Sequence, residues 1–333
     1  MCPSGVSCVG SSGSFDMTSP YYEWIDVGPR FSADQPGYVH KFQRAVTHLN
    51  AITNEVGDFI ATGLHAPVSG EVEATDDGWI IIRPGAINPA PGVWNLYLGD
   101  FLNNARASLD YLVYDLVRAN HCDPAKHTAF PICETEGKWK DDITERDTRS
   151  RGPSPISGVS KDVQRVIHDE QPLRHKTDKL RKNDDLMHLL RMSNTDKHRR
   201  LHISAIETGK VLKVWAEPEG LVEIYRLKAA PVSGGVKSDS EVARVKVRPI
   251  VGADPNADVY FGFQRPAEIA FSVPGETRKA TMDNLFGIIN SIMRIGCRLE
   301  TYVSPSASWF SELYAGKIGG GHRTGLGAGK GQY

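Results

Sequence analysis

The sequence predicts an α+β protein: a helical bundle with an inserted β-hairpin, followed by a mainly antiparallel sheet and a C-terminal helix. Three observations predict this class. Apolar residues recur every three or four positions in much of the first two hundred residues and again after residue 275, which is the spacing of amphipathic helices. Between residues 201 and 273, apolar and polar side chains alternate in short runs, as in antiparallel strands. A chain of 333 residues is long enough to bury a sizeable core.

These patterns divide the chain into four regions. Residues 1–16 are rich in Ser and Gly and lack the basic start and apolar stretch of a secretory signal, so we expect a disordered tail. Residues 17–200 hold the helical bundle with its hairpin. Residues 201–303 hold the antiparallel β region, closed by a helix that we expect to pack on the bundle. Residues 304–333 end in a Gly-rich run and are predicted to be a second disordered tail.

Composition excludes several classes of protein. The net charge is −1, so no global field favours nucleic acid or anionic lipid, and no apolar run reaches the ~18 residues of a membrane span. The five cysteines are odd in number and form no CxxC pair, which argues against a disulfide framework and favours the cytoplasm. Four possible ligands lie close in sequence, but their spacing fits no standard zinc site, so we expect neither metal nor cofactor: His121, Cys122, His127 and Cys133.

The first half of the chain is predicted to be helical around one central element. Apolar residues from Val39 to Phe59 outline a first long helix. After it, residues 68–86 contain an Asp-Asp-Gly turn between two short apolar runs, which predicts a β-hairpin. The central helix, 97–120, carries an apolar stripe with regular spacing: Leu98, Leu102, Ala105, Leu109, Leu112 and Leu116.

Two shorter helices should follow the central one. Ser160 is a suitable cap for the first, which Gln171-Pro172 should end. Asn183 or Asp184 can cap the second, which we expect to end at Ser193–Asn194, because Asn is a frequent C-terminal cap. Residues 194–200 would then be a junction between helix and sheet.

The β region is predicted to contain about six short strands and then a last helix over residues 276–303. The run from 241 to 250 places Ala243, Val245 and Val247 on one face, and a basic row of Arg244, Lys246 and Arg248 on the other. Such a row can meet phosphates, but we favour a solvated face that protects an edge strand. A binding role for this region would be favoured if the side chains of Tyr260 and Phe263 were exposed beside the basic row.

A charged pair on the flank of the central stripe, Arg106 and Asp110, requires partners once the helix packs. The junction supplies both signs of charge, so we expect Arg106, Asp110, Asp196 and His198 to converge. We favour a structural role for this polar cluster, because a satisfied buried network can fix packing without catalysis. The cluster comprises Arg106, Asp110, Asn194, Asp196, Lys197, His198 and Arg199.

The order of helix, hairpin, central helix, FPI segment and junction resembles a broad group of uncharacterised bacterial proteins common in actinobacteria. Their shared features are a GD-x-L-x-N-x-R-S-A-L-D-H helix, an FPI segment and an N-x-D-K-H-R junction. Tyr111 stands where that pattern usually has His. The resemblance implies an architecture and does not point to any particular activity. The matching residues are Gly99, Asp100, Leu102, Asn104, Arg106, Leu109, Asp110, Asn194, Asp196, Lys197, His198 and Arg199.

A more distant likeness is to HEPN domains, helical bundles that include metal-independent ribonucleases. Their signature is an Arg followed, after four to six residues, by a His, and Arg191 and His198 fit that spacing. The resemblance implies a His acting as general base on a ribose hydroxyl and an Arg steadying phosphate charge. The alternatives are therefore a soluble protein with a structural cluster, a ribonuclease, and a non-enzymatic binding module that uses the β region. RNA and a second copy of the chain are the candidate partners.

Overall fold

The computed structural model describes residues 35–62, 73–74, 78–82, 90–146, 148–198, 202–207, 213–217, 219–229, 241, 243–254, 259–264, 267–272 and 279–313. The α+β class is confirmed, and the strands described there pair antiparallel. The predicted tail 1–16 and the end of the chain after residue 313 lie outside the described residues.

The helices are α1 Gly37–Thr62, α2 Val93–Ala119, α3 Glu136–Trp139, α4 Thr148–Arg151, α5 Lys161–Asp169, α6 Asp178–Lys182, α7 Asp185–His198 and α8 Met282–Val303, with a π-helical turn at Lys140–Thr144 and a 3-10 turn at Pro172–Arg174. The strands are β1 Glu73–Ala74, β2 Ile80–Ile82, β3 His202–Glu207, β4 Lys213–Glu217, β5 Val222–Ala229, β6 Ala243–Pro249, β7 Tyr260–Gln264, β8 Ala267–Ser272 and β9 Lys279–Thr281.

The chain divides into two compact units. The β unit contains residues 1–22, 52–95 and 201–282, and the helical unit contains residues 23–51, 96–200 and 283–333. The hairpin β1–β2 follows α1 in sequence, as predicted, but β2 pairs with β6 and so belongs to the β unit. Helix α8 lies in the helical unit from Asp283 onward.

The core of the helical unit follows the predicted apolar stripes. All six residues of the α2 stripe are buried. The caps also form as predicted: Ser160 accepts a hydrogen bond from the backbone of Val163, and Asp184 accepts one from the backbone of Leu186 at 2.8 Å. Both caps satisfy amide groups that have no partner in the first turn of a helix.

The prediction that α7 ends at Ser193–Asn194 was wrong. The helix continues to His198, so Asn194 and Asp196 are helical residues and not parts of a junction. Gly and Pro are the residues that most often end a helix, and residues 194–198 contain neither. The hydroxyl of Thr195 also donates to the backbone oxygen of Arg191 at 2.9 Å, so its hydrogen bond is satisfied within the helix.

Residues 304–313 are part of the folded structure and were wrongly assigned to the C-terminal tail. Phe310 is buried and contacts the rings of Tyr38 and Phe42. The buried carboxylate of Glu300 accepts hydrogen bonds from the backbone of Phe310 and from Ser311. The last helix also begins later than predicted, at Met282, because residues 279–281 form β9 beside β8.

The strands of the β unit pair in a nested order. β5 pairs with β6, β4 with β7 and β3 with β8. Each of the strands β3, β4 and β5 is therefore antiparallel to its partner among β8, β7 and β6. One described sheet has the order β1-β2-β6-β5. The predicted alternation of β6 is confirmed at Ala243 and Val245, which are buried, whereas Val247 is half-buried like Arg244 and Lys246. No helix in the described part of the chain is long and apolar enough to cross a membrane.

Candidate functional site

Arg106 and Asp110 form a clamp on the backbone of Phe130. The two side chains are one helical turn apart on α2 and their charged atoms lie 3.2 Å apart. Arg106 Nη2 donates to the Phe130 carbonyl oxygen, and the Phe130 amide donates to Asp110 Oδ1 at 2.9 Å. Phe130 and the next three residues are buried, so the clamp satisfies backbone groups that the buried FPI segment cannot leave unpaired.

Asp196 of α7 contacts α2 at a point one to two helical turns nearer the N-terminus of α2 than the clamp. Asn103 Nδ2 donates to Asp196 Oδ2 at 3.3 Å. A Cβ atom at Gly99 would lie 2.9 Å from both carboxylate oxygens of Asp196, so a larger residue there would have to displace this carboxylate. Burial raises the pKa of Asp196, the hydrogen bond from Asn103 opposes the shift, and the nearby charge of Asp100 adds to it.

The predicted polar cluster is therefore built differently from the expectation. Arg106 and Asp110 contact Phe130, whereas Asp196 contacts Asn103 on a different part of α2. Asn194 is exposed. The side chains of Lys197 and His198 are outside the described set, as is Arg199. Arg191 Nη1 donates to the Lys182 carbonyl oxygen at 3.0 Å, at the C-terminal end of α6.

A second acidic site, at the start of α7, was not predicted. Burial raises the pKa of Asp185 to about 6, and the adjacent charge of Asp184 adds to the shift. Hydrogen bonds from Ser291 and Asn284 of α8 act in the opposite direction. Asp184 in turn lies 2.8 Å from His175 Nε2. Nothing in the sequence marked Asp185, because its burial depends on how α7 and α8 pack.

The sheet β2-β6-β5 carries a basic face that is larger than the predicted basic row. In the register of β5 and β6, Arg226 lies opposite Lys246, Lys228 opposite Arg244, and Glu223 opposite Arg248. Residues directly opposite in an antiparallel pair share a face of the sheet. The basic face therefore comprises Arg226, Lys228, Arg244, Lys246 and Arg248.

A β-bulge brings these side chains together. The register of β5 shifts between Ile224 and Arg226, so that Tyr225 and Arg226 together face Lys246. Without the extra residue, strand alternation would turn Arg226 and Lys228 to the opposite face. With it, both join the cations of β6.

Acidic and aromatic side chains complete the basic face. Arg248 pairs with Glu223 at 2.8 Å, and Arg244 pairs with Glu241 at 2.7 Å. The hydrogen bond from Arg248 lowers the pKa of Glu223. The Lys246 ammonium lies 5.1 Å from the centre of the Trp79 ring, and the Arg248 guanidinium lies 5.9 Å from that of Tyr225. These contacts are cation–π pairs.

Sequence reasoning found three of the five cations and missed Arg226 and Lys228. Their two-residue spacing on β5 was visible in the sequence, but the bulge that sets their face was not. The side chains of Tyr260 and Phe263, which were to decide whether this region binds a partner, are not among those described. No group of three or more His, Cys, Asp or Glu residues within the described part of the chain is placed to hold a metal ion.

Comparisons of this chain with protein-family models, with curated proteins and with solved structures found no match. The fold and the sites define a two-unit α+β protein whose helical unit contains a backbone clamp and whose β unit carries a basic face. The resemblances drawn from the sequence stay predictions.

Proposed function

We propose that the protein is a non-enzymatic binding module whose basic face binds nucleic acid, and that its polar cluster is structural. The bulge at Tyr225, which places cations from two strands on one face, carries the proposal. Phosphate groups spaced along a polymer suit such a face, because several Lys and Arg side chains can each meet one and release its counterions. The net charge of the whole chain, −1, does not oppose this, since a local patch can attract an anion.

The arrangement has a cost that a merely solvated face would avoid. Like charges directly opposite each other destabilise a sheet, and here Arg226 faces Lys246 and Lys228 faces Arg244. Edge protection explains charges on β5, but β6 has β2 on one side and β5 on the other. Its cations protect no edge in this sheet. Features that break a local rule without a structural gain are those expected at functional sites.

The structural role of the clamp is supported by its contacts. Both charged groups are used on the amide and carbonyl of one buried residue, Phe130. This pairing fixes the FPI segment against α2, and it leaves Arg106 Nη1 buried without a hydrogen-bond partner.

Binding of a fluorescent 20-nucleotide RNA to the full-length protein tests the proposal by anisotropy over a range of salt concentrations. We expect the logarithm of affinity to fall linearly with the logarithm of salt concentration. Replacing Arg226, Lys228 or Lys246 by Gln should weaken binding and reduce the slope by roughly 0.7 to 1 for each phosphate that is no longer neutralised. Lys161→Gln and Lys179→Gln remove exposed cations of the helical unit and serve as matched controls.

Vesicles of anionic and neutral lipid provide the competing outcome in the same experiment. Ile250 and Val251 are exposed beside the basic face, and an anionic membrane also attracts Lys and Arg. Binding to anionic vesicles without binding to nucleic acid would contradict the proposal. Equal loss of affinity in the helical-unit controls would show that the basic face is not the site.

A second candidate function is a metal-independent ribonuclease that uses Arg191 and His198. It is favoured by the length of α7: both residues belong to one helix, and seven positions bring them within roughly 20° of the same face. Incubation of wild type and His198→Ala with RNA in EDTA tests it. The activity requires cleavage by wild type that His198→Ala abolishes while the melting temperature stays unchanged.

A further inference from the structure

We propose that the nucleic acid is single-stranded and that its bases stack on Tyr225 and Trp79. This inference rests on the proposed function and specifies its ligand. Phosphate contacts alone do not distinguish a single strand from a duplex. The rings within the basic face do, because stacking on a protein ring requires the face of an unpaired base.

Tyr225 is presented as a stacking surface. The bulge places it beside Arg226, opposite Lys246, and the residue is 49% exposed. Arg248 lies over the ring at 5.9 Å and is itself held by the carboxylate of Glu223. An ion pair that fixes the cation over the ring reduces the freedom that would be lost when a base binds.

Trp79 supplies the second ring on the far side of β6. It directly precedes β2, and Lys246 lies over it at 5.1 Å. Lys246 is therefore next to both rings, with Trp79 on the β2 side and Tyr225 on the β5 side. A phosphate that joins two stacked nucleotides would meet this ammonium group.

The separation of the rings also favours a single strand. β2 and β5 are two strand spacings apart, roughly 10 Å, whereas adjacent bases in a duplex are roughly 3.4 Å apart along the axis. Bases that occupy both rings must be drawn apart from each other. A duplex, whose base faces are covered by their neighbours, would have to be opened first.

The test compares a 12-nucleotide oligo-uridine RNA, oligo-thymidine DNA of equal length and a duplex RNA, each bound to the full-length protein and measured by anisotropy. We expect both single strands to bind at least about tenfold more tightly than the duplex. Tyr225→Leu should weaken single-strand binding by about tenfold, which corresponds to about 1.4 kcal/mol, because stacking on one ring is lost. It should leave the salt slope unchanged, because no cation is removed. Tyr225→Phe should bind like wild type.

A closely matched control is available in the helical unit. Tyr111 is 48% exposed and has the ammonium of Lys41 5.7 Å from its ring centre, so Tyr111→Leu removes a ring of the same exposure and the same kind of cation–π pair. It should not change binding. Circular dichroism of all variants checks that each one is folded.

The outcomes separate this inference from the proposed function. If duplex and single strand bind equally and Tyr225→Leu has no effect, while Lys246→Gln still weakens binding, the stacking inference is overturned and the nucleic-acid function stands. If no nucleic acid binds at any salt concentration, the proposed function fails and this inference fails with it. A preference of single-stranded RNA over DNA would show recognition of the ribose in addition to stacking.

Discussion

Replacement of Arg106 by Leu tests the role of the clamp most directly. The side chain is 17% exposed and that of Asp110 is 29% exposed, so water reaches both groups only in part. Without Arg106, the Phe130 carbonyl loses its side-chain donor, and an unpaired buried acceptor costs about 1–3 kcal/mol. Asp110 keeps the Phe130 amide but loses its counter-charge, which costs less than about 1 kcal/mol at this exposure.

One term acts in the opposite direction. Arg106 Nη1 is buried without a hydrogen-bond partner, so its removal relieves a desolvation cost. We therefore expect Arg106→Leu to lower the free energy of unfolding by about 1–2 kcal/mol. Asp110→Asn keeps an acceptor for the Phe130 amide and removes only the charge, so its effect should be smaller, about 1 kcal/mol.

Two measurements check this expectation. Urea denaturation followed by far-ultraviolet circular dichroism gives the change in free energy, and hydrogen exchange by mass spectrometry reports the protection of the Phe130 amide. Arg165→Leu is the control, because Arg165 and Asp162 form a helix-surface ion pair whose side chains are 73% and 69% exposed. Such pairs contribute about 0.5 kcal/mol or less.

If Arg106→Leu costs no more than Arg165→Leu, and protection of the Phe130 amide is unchanged, then the clamp does not hold the FPI segment. The two charges would then have to serve another purpose.

Three further predictions concern the helical unit. Gly99→Ala should stabilise the protein by less than the roughly 1 kcal/mol by which Ala favours a helix, because the new Cβ, 2.9 Å from the Asp196 carboxylate, would displace that carboxylate from Asn103; in an Asp196→Ala background the same change should stabilise more, which a double-mutant cycle measures. The pKa of Asp185 is raised from 3.8 to about 6, so the folded state holds this proton more tightly and stability falls as pH rises through that range. Asp185→Asn should therefore increase the free energy of unfolding at pH 7 by up to about 3 kcal/mol, which a higher melting temperature would show. The difference between the variant and wild type should disappear near pH 4. Glu170 is fully buried and pairs with two arginines of α8, so Glu170→Gln should cost about 2–4 kcal/mol in urea denaturation, and an unchanged midpoint would contradict that role.

The amino-acid sequence determined the features that arise from contacts a few residues apart. The spacing of Leu98 to Leu116 placed the core stripe of α2, and all of it is buried. Ser160 and Asp184 formed the caps expected of them. The alternation of β6 separated its apolar and basic faces. In each case the pattern and its consequence lie within the same turn of helix or the same strand.

The end of α7 shows where local patterns fail. Asn194 is a frequent cap, yet it lies inside a helix that continues to His198. Asp196 is held by Asn103 and by its close approach to Gly99. These contacts join residues more than ninety positions apart, and tertiary contacts can outweigh the weak preference of one residue.

Only the tertiary structure decided which groups Arg106 and Arg226 meet. The partner of Arg106 is a backbone carbonyl, and every residue has one, so the sequence cannot single out Phe130. The face of Arg226 depends on one extra residue in the register of β5 against β6. Because side chains alternate with a period of two, a shift of one residue moves every later side chain to the other face, and this shift is set by the pairing of β5 with β6, which neither strand fixes alone.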